Sequence, residues 1–314
     1  AGIFNPIGSF GDKLKMASLQ ESVIGGSRSG VATMHDTLRE ETTTLSRLAQ
    51  IGFSSNITQK FFKPFFSGIY LEPDLQTSSL MFDFVFKMLA KGDNTLPAMG
   101  MQSIPTQMAQ HLPAESICFL HKVTQVEKGS VKLSSGETLT GKAVVIATEE
   151  PMCKHLLGKE SKINFRSQTC LYFSAEEPPF EDPILVLDGE ASGPVNNFVV
   201  PSNVASTYAP PGKSLMNAVI TGDPDLNDDD LELAVRKQLT TWFGKQVDSW
   251  KHLRTYRIKY SLPDQTPDAK AKVDRSYMID DQTYFCGDYV ETGSINGAMM
   301  SGRKVAELIK AKMS

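Results

Sequence analysis

The sequence predicts a mixed α/β fold. Three observations carry this. Lys142–Thr148 (Lys-Ala-Val-Val-Ile-Ala-Thr) is a β-rich apolar run suited to a buried parallel strand. From Ile163 to Gly222 short strands follow one another with Pro and Gly between them. That pattern marks an antiparallel or mixed sheet, not a βαβ series. Finally, residues 283–307 read as strand, acidic residue, small-residue turn and helix.

In chain order, Asp12–Ser22 suits a short helix, and Gly25–Gly30 reads as a mobile loop. Met34–Gln50 places Met34, Leu38, Leu45 and Leu48 on one helical face, and Gly52 ends it. Asn56–Lys63 forms a second helix, which Pro64 is expected to stop. The aromatic run Phe61–Leu71 is expected to pack in a core. Leu80–Ala90 suits a buried helix capped by Gly92. Ser103 begins another, with Pro105 in its first turn.

Strands are expected at Ile117–Leu120, Val123–Glu127, Gly129–Leu133 and Thr138–Leu139. Pro151 starts a helix that Gly158 ends. Further strands are Thr169–Ser174, Ile184–Leu187, Asn197–Val200, Leu215–Thr221 and Trp250–Leu262. Asp228–Phe243 is a helix whose acidic start, Asp228 to Asp230, complements the helix dipole. Asp264–Val273 is a polar loop, and Ile295–Met313 closes the chain as a helix.

The 314 residues suffice for a substantial core, and 40% hydrophobic with 22% charged residues indicates a globular chain. The net charge is −4, and no basic patch points to nucleic acid. No apolar run approaches the ~18 residues of a spanning helix. Cys118, Cys153, Cys170 and Cys286 are far apart in apolar surroundings, without a CxxC pair, which predicts buried reduced thiols inside the cell. Two phosphate-binding motifs nearly occur. Gly25–Gly30 has Ser27 where the fingerprint needs glycine. Gly136–Ala143 has Ala143 where Ser or Thr is required and precedes a strand. No hydrolytic triad or metal cluster is visible among the five histidines and other candidates, and no catalytic residue is nominated.

The organising stretch is Thr283-Tyr-Phe-Cys-Gly287-Asp288-Tyr-Val-Glu-Thr-Gly293-Ser294-Ile295-Asn296-Gly297. Asp288 can accept hydrogen bonds from a polyol chain. Ser294 can cap the helix, whose free N–H groups favour an electron-rich ligand edge. Gly293 and Gly297 would let a flat ring approach the backbone. This stretch resembles the C-terminal flavin-contacting segment of FAD-dependent oxidoreductases in the amine oxidase superfamily, nearest the phytoene desaturase-like and protoporphyrinogen oxidase-like branch. The resemblance implies that Asp288, after Gly287, binds the ribityl chain. Ser294, Ile295, Asn296 and Gly297 would sit at the O2/N1 edge of the isoalloxazine.

Leu96-Pro-Ala-Met-Gly100-Met101 resembles the family element that passes beside the flavin, with Gly100 permitting close approach and Met101 packing on the ring. Val123 matches the strand residue that meets adenine. The implied architecture is two interleaved domains, an incomplete FAD-binding domain of residues 93–160 with 272–314 and a substrate domain of mixed sheet plus helices from residues 1–92 with 161–271. The implied activity is hydride transfer from a largely apolar small molecule to flavin N5. A plastid location is suggested by the same resemblance.

The resemblance covers roughly residues 35–314 and lacks the N-terminal βαβ unit that binds pyrophosphate. Three explanations stand. The chain is a fragment, as its initial Ala1 favours; the missing half is supplied separately, as from a larger assembly; or the protein lost its cofactor and serves as a non-catalytic binding or assembly subunit. FAD is therefore expected in the complete protein and only weakly, or not at all, on this chain alone.

Overall fold

In the computed structural model, which describes residues 7–25 and 40–313, the strands pair into three sheets. In chain order the strands are β1 (Val123–Glu127), β2 (Ser130–Leu133), β3 (Thr138–Thr140), β4 (Val144–Ile146), β5 (Phe165–Ala175), β6 (Leu185–Leu187), β7 (Asn197–Val199), β8 (Ser214–Thr221), β9 (Lys251–Pro263) and β10 (Thr283–Phe285). Two compact units form, one of residues 1–109 and 166–261, the other of residues 110–165 and 262–314.

The first unit holds a five-stranded sheet of order β6-β7-β8-β5-β9. Strand alternation sorts its side chains. Leu171 and Phe173 of β5 bury one face with Met216, Ala218 and Ile220 of β8. The helix Asp228–Phe243 lays Leu231, Val235 and Leu239 on that face. Each such side chain removed from water contributes about 1.5–3 kcal/mol. The helix starts where the Asn227 side chain accepts from the Asp230 N–H at 2.9 Å, beside three aspartates that suit its positive end. Its end is tied by Arg236, which donates to the carbonyls of Val247 and Trp250 at 2.7 and 2.8 Å.

A second core in this unit joins Leu48, Phe62, Phe66, Tyr70 and Phe82, so the aromatic run is core as expected. Asp12 staples it. Its buried carboxylate accepts from the N–H and hydroxyl of Ser9 and of Ser54, at 2.7 to 2.9 Å. The helix Lys63–Tyr70 also approaches β7, where a Cβ on Gly68 would lie 2.6 Å from the Asn197 Nδ2.

The second unit holds the antiparallel β1-β2-β3 sheet and a parallel pair, β4 with β10, in register Val144↔Thr283 to Ile146↔Phe285. Val126, Ile146, Cys153, Leu156, Phe285, Tyr289 and Val290 form its core.

Several expectations fail locally, each for a visible reason. Pro64 does not stop its helix. A π-turn at Thr58–Phe62 precedes it, and Pro64 falls in the first turn of Lys63–Tyr70, where a missing N–H costs little. The Met34–Gln50 helix begins only at Thr44, because Thr43 caps it with its side chain on Ser46 N–H while bridging to Ser78. Residues 34–39 lie outside the described residues, as do 26–30 of the Gly25–Gly30 stretch. Gly92 ends its helix in extended backbone rather than a left-handed turn.

Ile117–Leu120 forms no strand. Leu120 adopts φ 63, and Phe119 and Leu120 are exposed in a turn without a pairing partner. Cys118 is exposed, unlike the other three cysteines. Asp264–Val273 contains a short helix, Pro267–Ala271, that Thr266 caps. Among the described residues, no helix is long and apolar enough to cross a membrane, and no cluster of metal-ligating side chains occurs.

Candidate functional site

The site grows from the end of β10. Tyr284, Phe285 and Cys286 are buried, so the chain leaves the sheet rigidly and turns at Gly287. The Gly287 N–H donates to the Ser301 Oγ at 3.0 Å, and Ser301 donates to the Ala298 carbonyl at 2.7 Å. These bonds fix the strand end to the closing helix, Ile295–Met313. A Cβ on Gly287 would lie 2.3 Å from the Tyr289 ring, so the glycine makes room for that ring. The Tyr289 hydroxyl is buried beside the Cys153 thiol and has no conventional hydrogen-bond partner. Burial, foremost, pushes the phenol far above its ordinary range.

Asp288 follows, half-buried. Burial pushes its carboxyl above the usual carboxylate range. The N–H groups of Tyr289 and of Asp288 itself work against that shift, and the Glu149 charge adds to it. No Lys or Arg among the described residues pairs with it. A desolvated, uncompensated carboxylate beside a loop is the profile of a group kept for a ligand.

The loop then runs into the helix. The Ser294 Oγ accepts from the Gly297 N–H at 3.0 Å, as a capping residue does, and lies 3.0 Å from the Thr292 hydroxyl. Ile295 and Asn296, the first helical residues, are exposed. Their N–H groups have no acceptor in a preceding turn. Ile295, Met299 and Met300 are 52%, 46% and 41% exposed and form an apolar rim.

Two glycines of this loop have a reason within the chain. A Cβ on Gly297 would lie 2.0 Å from the Thr292 carbonyl oxygen, and one on Gly293 would lie 2.7 Å from the Gln265 Nε2. At both, the chain's own packing already requires the small residue.

Sequence reasoning missed the loop's supports. Gln265 accepts from the Gly293 N–H at 2.8 Å, while its buried Nε2 has no partner. Glu291 accepts from the Tyr277 hydroxyl and from Lys304. Burial raises the Glu291 pKa, but Lys304 and Tyr277 together outweigh it and hold the carboxyl below its usual range. Tyr277 holds a left-handed backbone, φ 59, that non-glycine residues rarely adopt. Nothing in the local sequence signals these contacts, since Gln265 lies 28 residues from its partner.

Asp288, Gly287, Ser294, Ile295, Asn296 and Gly297 thus come together on one loop and helix start. Val123 belongs to the same unit, at the first position of β1 opposite Leu133. Gly100 and Met101 belong to the other unit. There the Tyr208 hydroxyl donates to the Pro97 carbonyl at 3.0 Å, and the Thr207 hydroxyl donates to that of Ala98. Gly100 takes φ 87 with open space where a Cβ would stand, and Met101 is exposed.

The sequence profile of the family described as flavin containing amine oxidoreductase matches residues 9–310. No curated protein compared with the chain matches it significantly. Solved structures do. An oxidoreductase from Methanosarcina mazei superposes with TM-score 0.70 at 15% identity, over 95% of this chain and 73% of that one. A protein named as a candidate protoporphyrinogen oxidase from Exiguobacterium sp. 255-15 gives 0.68 at 16%, over 98% and 73%. An engineered putrescine oxidase gives 0.71 at 13%, over 99% and 78%. At these identities the likeness is one of fold.

Proposed function

The chain belongs to the flavin containing amine oxidoreductases, and from that premise we propose that it is the scaffold of an FAD-dependent oxidoreductase acting on a largely apolar small molecule. The observation that carries this is Asp288: a half-buried carboxylate of raised proton affinity, without a cation, beside a free helix start. The residues present fit the flavin end of the cofactor. Asp288 would accept hydrogen bonds from the ribityl hydroxyls. The N–H groups of Ile295 and Asn296 would meet the electron-rich edge of the ring. Ser294 holds that helix start in place through Gly297. Val123, in the same unit, completes the proposed contacts.

Bound flavin supplies the hydride acceptor. The protein's part is to orient the ring, keep water from it with the apolar rim, and hold the loop through Gln265 and Glu291. The desaturase- and protoporphyrinogen oxidase-like branch is favoured by the Leu96–Met101 segment and the apolar helices.

The test is quenching of flavin fluorescence on titration with FAD and with riboflavin, which lacks the pyrophosphate. Saturable quenching by both is expected, weak for the chain alone. Asp288→Ala should weaken both by about ten- to a hundredfold, the effect of a lost charge-assisted hydrogen bond of about 1.5–3 kcal/mol. Quenching that ignores Asp288→Ala would sink the reading.

A further inference from the structure

The sheet face opposite the Asp228–Phe243 helix is only partly covered. The helix Lys63–Tyr70 packs toward β7, and over β5, β8 and β9 an open cleft of about 600 Å³ remains. That volume lies within the range of small-molecule sites. Tyr172, Leu215, Leu253, Tyr256 and Ile258 line it, with Arg254 as its charged member. The Tyr172 and Tyr256 rings meet edge to face, centroids 5.8 Å apart and planes at 88°. The Arg254 guanidinium stands 4.9 Å from the centre of the Tyr256 ring.

Charge decides what this cleft prefers. The chain carries −4 overall, yet β9 holds Lys251, Arg254, Arg257 and Lys259 and no acid. Arg257 is engaged by Asp223 and Asp228. No acid among the described residues pairs with Arg254. A guanidinium resting on an aromatic face keeps its planar fork available for a carboxylate.

We propose that this cleft binds a small aromatic or apolar molecule bearing a carboxylate, its acid against Arg254 and its apolar body against Tyr172 and Tyr256. Taken as the substrate site of the proposed oxidoreductase, the cleft rests on that reading. As a binding site it does not. The competing account is that Arg254 merely guards β9, an edge strand, against pairing with another chain. A guard requires neither a concave apolar floor nor a seat on a tyrosine ring.

The experiment is calorimetric titration of the purified chain with 2-naphthoate, 2-naphthylmethanol and 2-naphthylmethylamine, which share one ring and differ in charge. The naphthoate should bind tightest. Arg254→Gln should weaken it about tenfold or more and leave the alcohol unchanged. Arg254→Lys should recover part of the loss, and Tyr256→Ala should weaken acid and alcohol alike. Arg254 is exposed, so its replacements should keep the far-ultraviolet circular dichroism of the parent. Equal affinity for acid and alcohol overturns the proposal. So does naphthoate binding indifferent to Arg254→Gln, which is the guard's signature, or no binding by any of the three. Flavin is absent throughout, so failure here leaves the Asp288 reading standing, and failure there leaves this one.

Discussion

The two units bury their sheets differently. In the first, antiparallel strands built from neighbouring segments lay Leu171, Phe173, Met216 and Ala218 against a capped amphipathic helix, and that face is closed. In the second, a two-stranded parallel pair depends on a core of loop and helix residues such as Cys153, Leu156 and Tyr289, while Val145 of β4 stays exposed. Parallel strands are ordinarily covered on both faces, and two strands alone are marginal. The helix-covered face of the first unit therefore serves stability. Among the described residues each unit leaves buried polar atoms without a partner, on Ser67, Tyr70 and Thr221 in the first and on Gln265, Thr283 and Tyr289 in the second, but the second also leaves a carboxylate, Asp288, desolvated. Groups without an internal use are where a ligand finds one.

The largest effect expected on this contrast is Phe198→Ala in the first unit. Phe198 is completely buried, against Phe243 and Trp250. Its truncation should cost about 3–5 kcal/mol in denaturant unfolding. If hydrogen exchange of β8 amides were unaffected, the closed core described above would be wrong.

Next is Asp12→Asn. Burial acts first to raise the Asp12 pKa, yet its hydrogen bonds from Ser54 and Ser9 outweigh this and hold the carboxyl well below the usual range. A depressed folded pKa stabilises above the unfolded value and loses that contribution as pH falls through and below it. The variant should therefore lose about 2–3 kcal/mol at pH 7, as expected for charged-group hydrogen bonds, and progressively less below about pH 4. A difference independent of pH would show that packing, not charge, is at work.

In the second unit, Gly297→Ala sets a methyl 2.0 Å from the Thr292 oxygen. Overpacking of about 1–3 kcal/mol is expected. Because the strain sits in the loop, faster exchange should appear at 287–297 before the β4–β10 pair. Loss of protection beginning in β4 instead would show that the loop is not the weak part.

How much was legible follows the same division. The Asp228–Phe243 helix announced its start with three aspartates in its first turn, because the helix dipole is local chemistry. The strands of the five-stranded sheet were equally plain, since alternation and Pro/Gly punctuation are written in consecutive residues. Pro64 misled because a π-turn upstream removed the need for its N–H, and no residue type encodes a π-turn. Ile117–Leu120 misled because β-prone residues make a strand only with a partner.

At the site, the strand–Asp288–helix order was visible, as was Ser294 as a cap. Its supports were not. Gln265 and Tyr277 reach the loop through tertiary folding, and the bulk that forbids a side chain at Gly293 and Gly297 comes from atoms distant from the motif or folded back on it.

The smallest expected effect discriminates most, because it carries opposite signs. Burial raises the Asp288 pKa, so the folded state holds that proton more tightly than the unfolded chain does. Stability then falls as pH rises above the unfolded carboxyl value of about 4, since folding must desolvate a charge. Asp288→Asn removes that charge at nearly constant shape. At pH 7 the variant should be more stable by about 0.5–2 kcal/mol, the usual size of a single stabilising change. The gain should shrink as pH is lowered toward the point where the native carboxyl is protonated. The same variant should bind riboflavin more weakly, because an amide accepts hydrogen bonds less strongly than a carboxylate. Thermal melts from pH 4 to 8, run beside the flavin titration, give both signs at once. Loss of stability at pH 7 would mean that an internal partner already satisfies Asp288. A stability gain with flavin affinity unchanged would mean that the carboxylate is exposed to strain but not to ligand. Either outcome would leave Asp288 a group of the fold itself rather than one kept for a ligand.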